Sequence, residues 1–159
     1  MGVSSAVIRT QRGMALLVSL VFLLLLTFIG ISSMQNATLQ EKMAGSVNLR
    51  NQSFQSAEAV LRTGESAVQK DSFALAQCNG TVQCAPPAES SVVKTAGFNS
   101  TSGVTWIASG NGFYGVQNIG STQKAVNVPS NTAATLYRVT AVGLAGNSRS
   151  VVESIYAKY

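Results

Sequence analysis

A chain of 159 residues holds one domain plus an anchor and is too short for two ordinary domains. Its 11 lysines and arginines outnumber 6 acidic residues, for a net charge of +5. These positives form no run and are not interleaved with aromatics, so no nucleic-acid interface is expected. The chain lacks histidine altogether, which excludes a Ser-His-Asp or Cys-His arrangement. Glu41, Glu58, Glu65, Asp71, Glu89 and Glu153 are dispersed, and no glycine-rich phosphate loop follows a strand. Neither enzymatic activity nor a bound cofactor or metal is expected.

The leader Met1 to Arg12 is basic through Arg9 and Arg12. No charge then occurs until Glu41. The apolar segment Met14–Met34 has 21 residues, roughly 31 Å of helix, against a hydrocarbon core of about 30 Å. Ser19, Thr27, Ser32 and Ser33 are its only hydroxyls, and these can bond back to the helix backbone at little cost. The leader arginines lie on the side expected to remain cytoplasmic.

No proline precedes Pro86, so nothing forces a break between Met14 and Lys70. An apolar stripe continues through Leu39, Met43, Val47, Phe54, Ala57, Leu61 and Val68 at helical steps. Gln40, Asn48, Gln52, Gln55, Glu58, Arg62 and Glu65 take the opposite side, with Glu58 and Arg62 spaced for a supporting pair. The reading is one helix of about 57 residues, its first half in lipid and its second half laid on a soluble domain. Gly30, Gly45 and Gly64 are each open to two readings, a flexible point or a close-packing contact; the plain consequence is a poorer helix by about 1 kcal/mol apiece.

From Asp71 to Ser102 the chain is loop-like. Cys78 and Cys84 flank Asn79-Gly80 in QCNGTVQC, a dipeptide suited to a tight turn. In a translocated domain the pair reads as a local disulfide, worth about 2 to 3 kcal/mol on the chain-entropy account. The spacing is not Cys-x-x-Cys, and zinc would lack partners.

Four β-type runs follow: Val104–Ala108, Phe113–Gln117, Thr135–Val142 and Ser150–Ala157. The last two flank Gly143–Asn147 and read as an antiparallel hairpin. Tyr137, Val139 and Ala141 share one face, Arg138 and Thr140 the other. In the return strand Val151, Ile155 and Ala157 alternate with Val152, Ser154 and Tyr156, with Glu153 an exception in the first set. Such a sheet has one naturally dry face, which the amphipathic half of the helix would cover. The expected fold class is α+β, a long N-terminal transmembrane and amphipathic helix on a C-terminal antiparallel sheet.

The junction Arg12-Gly13-Met14, followed by ALLVSLVFLLLLTFIGIS, resembles a class III signal of the type IV pilin superfamily. The segment QNATLQEKMAGSVNLRNQSFQSAEAVLRTGE, residues 35–65, is similar to PilX-type minor pilins, as is the terminal hairpin beginning Leu136-Tyr-Arg-Val-Thr-Ala. The resemblance implies a leader at 1–13, a transmembrane half-helix at 14–34, an amphipathic half at 35–70 and a periplasmic or extracellular sheet domain at 71–159. It implies cleavage by prepilin peptidase between Gly13 and Met14, N-methylation of Met14, and single-pass residence in the inner membrane with a periplasmic C-terminus until assembly into an extracellular pilus. The implied partners are other minor pilins, the major pilin and the inner-membrane assembly platform.

Major pilins place a glutamate five residues into the mature chain, where this chain has Val18. In the family that carboxylate neutralises the amino terminus of the subunit already in the fibre, and a carboxylate in lipid is costly unless paired. A subunit at the distal tip has no such partner, so Val18 fits a tip subunit that starts assembly. Without the resemblance, Val18 is one more lipid-facing residue. The alternatives are a type II secretion tip-type pseudopilin, a secreted binding protein whose apolar run is a signal peptide cut near Gly30-Ile-Ser32, and an adhesin using the Cys78–Cys84 loop or the polar loop Gly120–Thr132.

Overall fold

The computed structural model describes residues 11–129 and 131–159, with side chains from Gly13 onward. The expected leader falls largely outside these residues, as does Ser130 of the polar loop. Helix α1 runs without interruption over Gln11–Gln69. The chain divides into two compact units, the first ending at Gly45 and the second spanning Ser46–Tyr159.

In the first unit α1 makes no tertiary core. Its leucines, valines, phenylalanines and isoleucines are exposed throughout, Leu16 at 71% and Val18 at 50% among them. Ser19 donates to the Leu16 carbonyl at 2.9 Å and Thr27 to that of Leu24 at 2.7 Å. These bonds absorb two hydroxyls locally, so the segment presents almost uninterrupted hydrocarbon.

In the second unit the remainder of α1 packs on a five-stranded antiparallel meander, ordered β1 (Gly97–Phe98), β2 (Thr105–Ser109), β3 (Gly112–Thr122), β4 (Ala134–Ala145) and β5 (Ser148–Lys158). The expected α+β class is observed. Strand β1 is an addition, drawn from the segment read as loop and paired with β2 through Gly97 and Phe98. The polar loop is shorter than expected, because β3 continues through Thr122 opposite Ala134. The terminal hairpin is also longer: β4 reaches Ala145, and the turn is made by Gly146, at φ 54°, and Asn147. That left-handed conformation suits glycine.

The helix face on the sheet matches the expected stripe only in part: Ala57 and Val68 are buried and Leu61 packs at the margin, but the earlier positions are not covered. Phe54 is 47% exposed, and Leu39, Met43 and Val47 are exposed as well. The buried positions are Ser53, Ala57, Val60, Gly64 and Val68. Against them lie Tyr114, Ala141, Tyr137 and Val139, with Val116, Val152 and Tyr156 at the margins. Small residues win this face because helix and sheet approach closely. A Cβ at Gly64 would stand 2.6 Å from Val139 Cγ1, and one at Gly143 only 2.2 Å from Ala57 N and from Ser53 O. Gly64 is therefore a packing contact, whereas a Cβ at Gly30 or Gly45 would meet nothing within 4 Å. Glu58 and Arg62 form no ion pair; among the described residues Arg138–Glu153 alone does so.

The sheet also has a second dry region, against the single one expected. Val104, Trp106 and Val142 are buried on the face away from the helix, packed with Val93, Phe113 and Leu144. The cover is the strap from Leu75 to Val93, which includes the short helix α2 (Gly80–Gln83) and a 3-10 turn at Ala88–Ser91.

Candidate functional site

Two surfaces have the composition of a working site. The first is the apolar half of α1. Among the described residues, the helix Gly13–Gln69 is long and apolar enough to cross a membrane by length and composition; its most apolar 18-residue window has mean hydropathy 2.9 and no part of it buried. Gly13 and Met14, the expected cleavage junction, lie within the helix near its start, with Met14 64% exposed. Val18 shares a shallow groove with Leu17, Val21, Phe22 and Leu25. A carboxylate there would sit among apolar side chains, and in a bilayer it would cost several kcal/mol, of order 3. The surface is suited to lipid or to another helix of the same kind.

The second surface is the strap-covered face of the sheet. Cys78 and Cys84 are joined by a disulfide with Cα atoms 5.2 Å apart. Gly80 adopts φ 70°, and instead of a two-residue turn the chain winds one helical turn before Cys84. Beyond Tyr114, β3 no longer pairs with β2, and the strap attaches to the vacated edge. Cys78 N donates to the Asn118 carbonyl at 2.9 Å, and Asn118 Nδ2 donates to that of Leu75 at 2.8 Å. The β3 register slips between Asn118 and Gly120, where Gly120 has φ 112°. This bulge turns the strand where the strap joins it.

The carbonyls of the disulfide segment then become acceptors. Gln117 Nε2 donates to Gln83 O at 2.6 Å and to Ala85 O at 3.0 Å; Arg138 Nη1 donates to Cys84 O at 2.7 Å. Arg138 Nε lies 2.8 Å from Glu153 Oε1, with side-chain exposures of 14% and 33%. Glu153, the exception to strand alternation, thus has a reason: it stands opposite Thr140 and neutralises the arginine beneath the strap. Further along, Trp106 Nε1 donates to Glu89 Oε1 at 3.2 Å, and Ser102 Oγ donates to the same oxygen. Arg149 holds the far end of the strap through Ser90 O at 3.1 Å and Val93 O at 2.7 Å. Sequence reasoning placed Arg138 and Thr140 on this face but missed its cover. The signal was available in Trp106 and Val142, large apolar residues pointing away from the helix.

The described residues contain no group of three or more His, Cys, Asp or Glu able to hold a metal ion. Both surfaces are built for association and rigidity. No curated protein and no solved structure matches the chain. Residues 12–62, covering the apolar half of α1 and most of its sheet-packed half, match the protein family described as PilX N-terminal. The pilin family is structural in character, and its members associate with a membrane and with other components of a pilus. This match over residues 12–62 supports a PilX-type minor pilin of the type IV pilin superfamily.

Proposed function

We propose that this minor pilin helps to prime type IV pilus assembly and sits at or near the fibre tip. The observation that carries the reading is the state of α1 from Met14 to Met34, exposed on all sides, uncharged, and apolar at Val18. Such a rod is stored in the inner membrane with the sheet domain periplasmic. It is transferred into the fibre when its hydrocarbon surface exchanges lipid for the rods of sister subunits. Prepilin peptidase releases the leader after Gly13, and Met14 becomes the methylated amino terminus. Partner minor pilins dock through helix and domain to form a seed, on which the assembly platform adds major pilin. A tip subunit has no amino terminus above it to neutralise, which accounts for the absence of a carboxylate at position 18. The chain acts by association, and no catalytic step is assigned to it.

Deletion of the protein should sharply reduce surface fibres, counted by electron microscopy. Normal fibre number with weakened attachment to cells would replace the priming role by an adhesin role, and loss of protein secretion with intact fibres would point to a type II pseudopilin. Mass spectrometry of the mature amino terminus should find N-methylated Met14; a start near Ser33 would overturn the retained-rod reading.

A further inference from the structure

The chain contains two Asn-Gly dipeptides, Asn79-Gly80 in the strap and Asn111-Gly112 at the β2–β3 turn. Before a glycine, an asparagine side chain is open to attack by the next backbone nitrogen, because no Cβ shields that nitrogen. The fold treats the two pairs in opposite ways.

Asn79 and Gly80 are both exposed, and a Cβ at Gly80 would meet nothing within 4 Å. Asn79 precedes α2, yet its side chain makes no capping hydrogen bond, and α2 buries no residue. Gly80 N opens the helical turn and so has no acceptor within it. Asn79 has ψ 121°, so the peptide must swing before Gly80 N can reach Asn79 Cγ. The bonds that resist this swing are long. Asn79 N donates to Gln83 Oε1 at 3.3 Å, Cys84 N to the Gly80 carbonyl at 3.3 Å, and Ala85 N to that of Val82 at 3.4 Å. The firmer anchors of the strap lie outside, at Cys78 N on Asn118 and at Gln117 and Arg138 on the carbonyls of Gln83, Cys84 and Ala85. One exposed turn can open while the strap stays docked.

Asn111 is exposed as well, but its peptide is fixed. Its carbonyl accepts from Leu144 N at 2.9 Å and from Ser56 Oγ at 3.1 Å. Gly112 is buried, paired with Ser109 on one side and Gly143 on the other, and a Cβ there would collide with the Val142 carbonyl. Swinging that peptide would break the joint between β2, β3, β4 and α1.

We propose that Asn79 is a site of spontaneous covalent modification, deamidating through a succinimide formed with Gly80, and that the fold protects Asn111. Gly80 N gives up its proton and bonds to Asn79 Cγ, and the side-chain nitrogen leaves with that proton as ammonia. Water then opens the ring. Attack at the side-chain carbonyl gives aspartate, and attack at the backbone carbonyl gives isoaspartate. Either product replaces a neutral amide by a carboxylate. Isoaspartate also inserts an extra carbon into the main chain inside the loop closed by Cys78 and Cys84, which shifts the carbonyls gripped by Gln117 and Arg138. The co-reactant is solvent water, so no partner is required.

The test ages the detergent-solubilised full-length protein in mildly alkaline buffer and follows deamidation by tandem mass spectrometry. Trypsin separates the two sites, since Asp71–Lys94 carries Asn79 as its sole asparagine and Thr95–Lys124 carries Asn111 with Asn99 and Asn118. After subtraction of an unaged digest, deamidation at Asn79 should outpace that at Asn111 by at least about tenfold in the native protein, and urea should bring the two rates together. The products should include isoaspartate, detected by labelling with an isoaspartyl methyltransferase. Asn79→Gln, which would need a larger ring, should abolish the change in its peptide, and Gly80→Ala should slow it. An unchanged Asn79 after ageing, equal native rates at the two sites, or a difference that survives urea would each overturn the proposal. Aspartate without isoaspartate, or deamidation persisting in the Asn79→Gln peptide, would overturn the ring step and the proposal with it.

Discussion

The two parts of helix α1 are built from one continuous backbone but bury their surfaces in different ways. From Met14 to Met34 large side chains point outward and no neighbouring atom of the fold lies near its glycine, Gly30. From Ser53 to Val68 the working face is made of serine, alanine, glycine and valine, and every one of those positions is occupied by a partner from the sheet. The difference teaches what each part is for. A face that must reach minimal separation from a sheet sheds volume and gains close contact along its whole length. A face with no partner in the fold keeps large, uniform apolar side chains, which suit lipid and neighbouring helices alike.

That contrast can be broken by adding or removing a few carbons. The largest expected effect is Gly143→Val, whose Cβ would be driven onto the backbone of Ala57 and Ser53; a loss of about 3 kcal/mol or more is expected in urea unfolding of the sheet domain within the detergent-solubilised full chain. Gly64→Val should follow the same direction, with Val139 and Tyr114 in its path. Gly30→Ala, by contrast, should leave domain stability unchanged, and a measurable loss would contradict the division between the two parts.

Next in size, Val139→Ala removes fully buried methyl groups from the helix-side core and should lower stability by about 2 kcal/mol. Val21→Ala, in the exposed apolar part, should not move the same transition. Replacing Cys78 and Cys84 by serine should cost about 2 kcal/mol on the chain-entropy account. The damage should appear first on the strap side: hydrogen exchange at Cys78 N and proteolysis between Leu75 and Ala85 should rise, while amides of α1 from Ala57 to Val68 stay protected. Equal loosening of both faces would show that the strap is part of one cooperative core with the helix. The smallest effect on the fold belongs to Val18→Glu, which should leave the sheet domain unchanged and yet reduce fibre assembly measured on the cell surface. Normal assembly by that variant would remove the argument from the missing carboxylate.

Much of this was legible from residue order alone. The proline-free, apolar-periodic stretch announces α1, because helical hydrogen bonds are local and a missing breaker is visible in the chain. The hairpin of β4 and β5 follows from alternation around Gly146-Asn147, and the short spacing of Cys78 and Cys84 made their disulfide legible as a local one. The phase of the helix was legible only in part: Ala57, Leu61 and Val68 were placed correctly, Phe54 and Val47 were not. Phe54 and Val47 satisfy a 3.6-residue period as well as Ala57 and Val60 do, and periodicity does not say which of two overlapping faces meets the sheet. Gly64 was open to two readings and is a packing contact. Strand β1 was invisible, since two residues carry no alternation and its pairing depends wholly on β2.

Residue order by itself determined the anchor, the long helix, the strand-rich C-terminal domain and the local disulfide, all of which depend on neighbours in the chain or on bulk transfer to lipid. Only the tertiary structure decided that small residues face the sheet, that Arg138 and Glu153 pair beneath a strap, and that Arg149 holds the far end of that strap. Those outcomes depend on the separation between elements distant in sequence. That separation is set by steric fit and by the need to satisfy buried polar groups, and neither is written in the periodicity of a single segment.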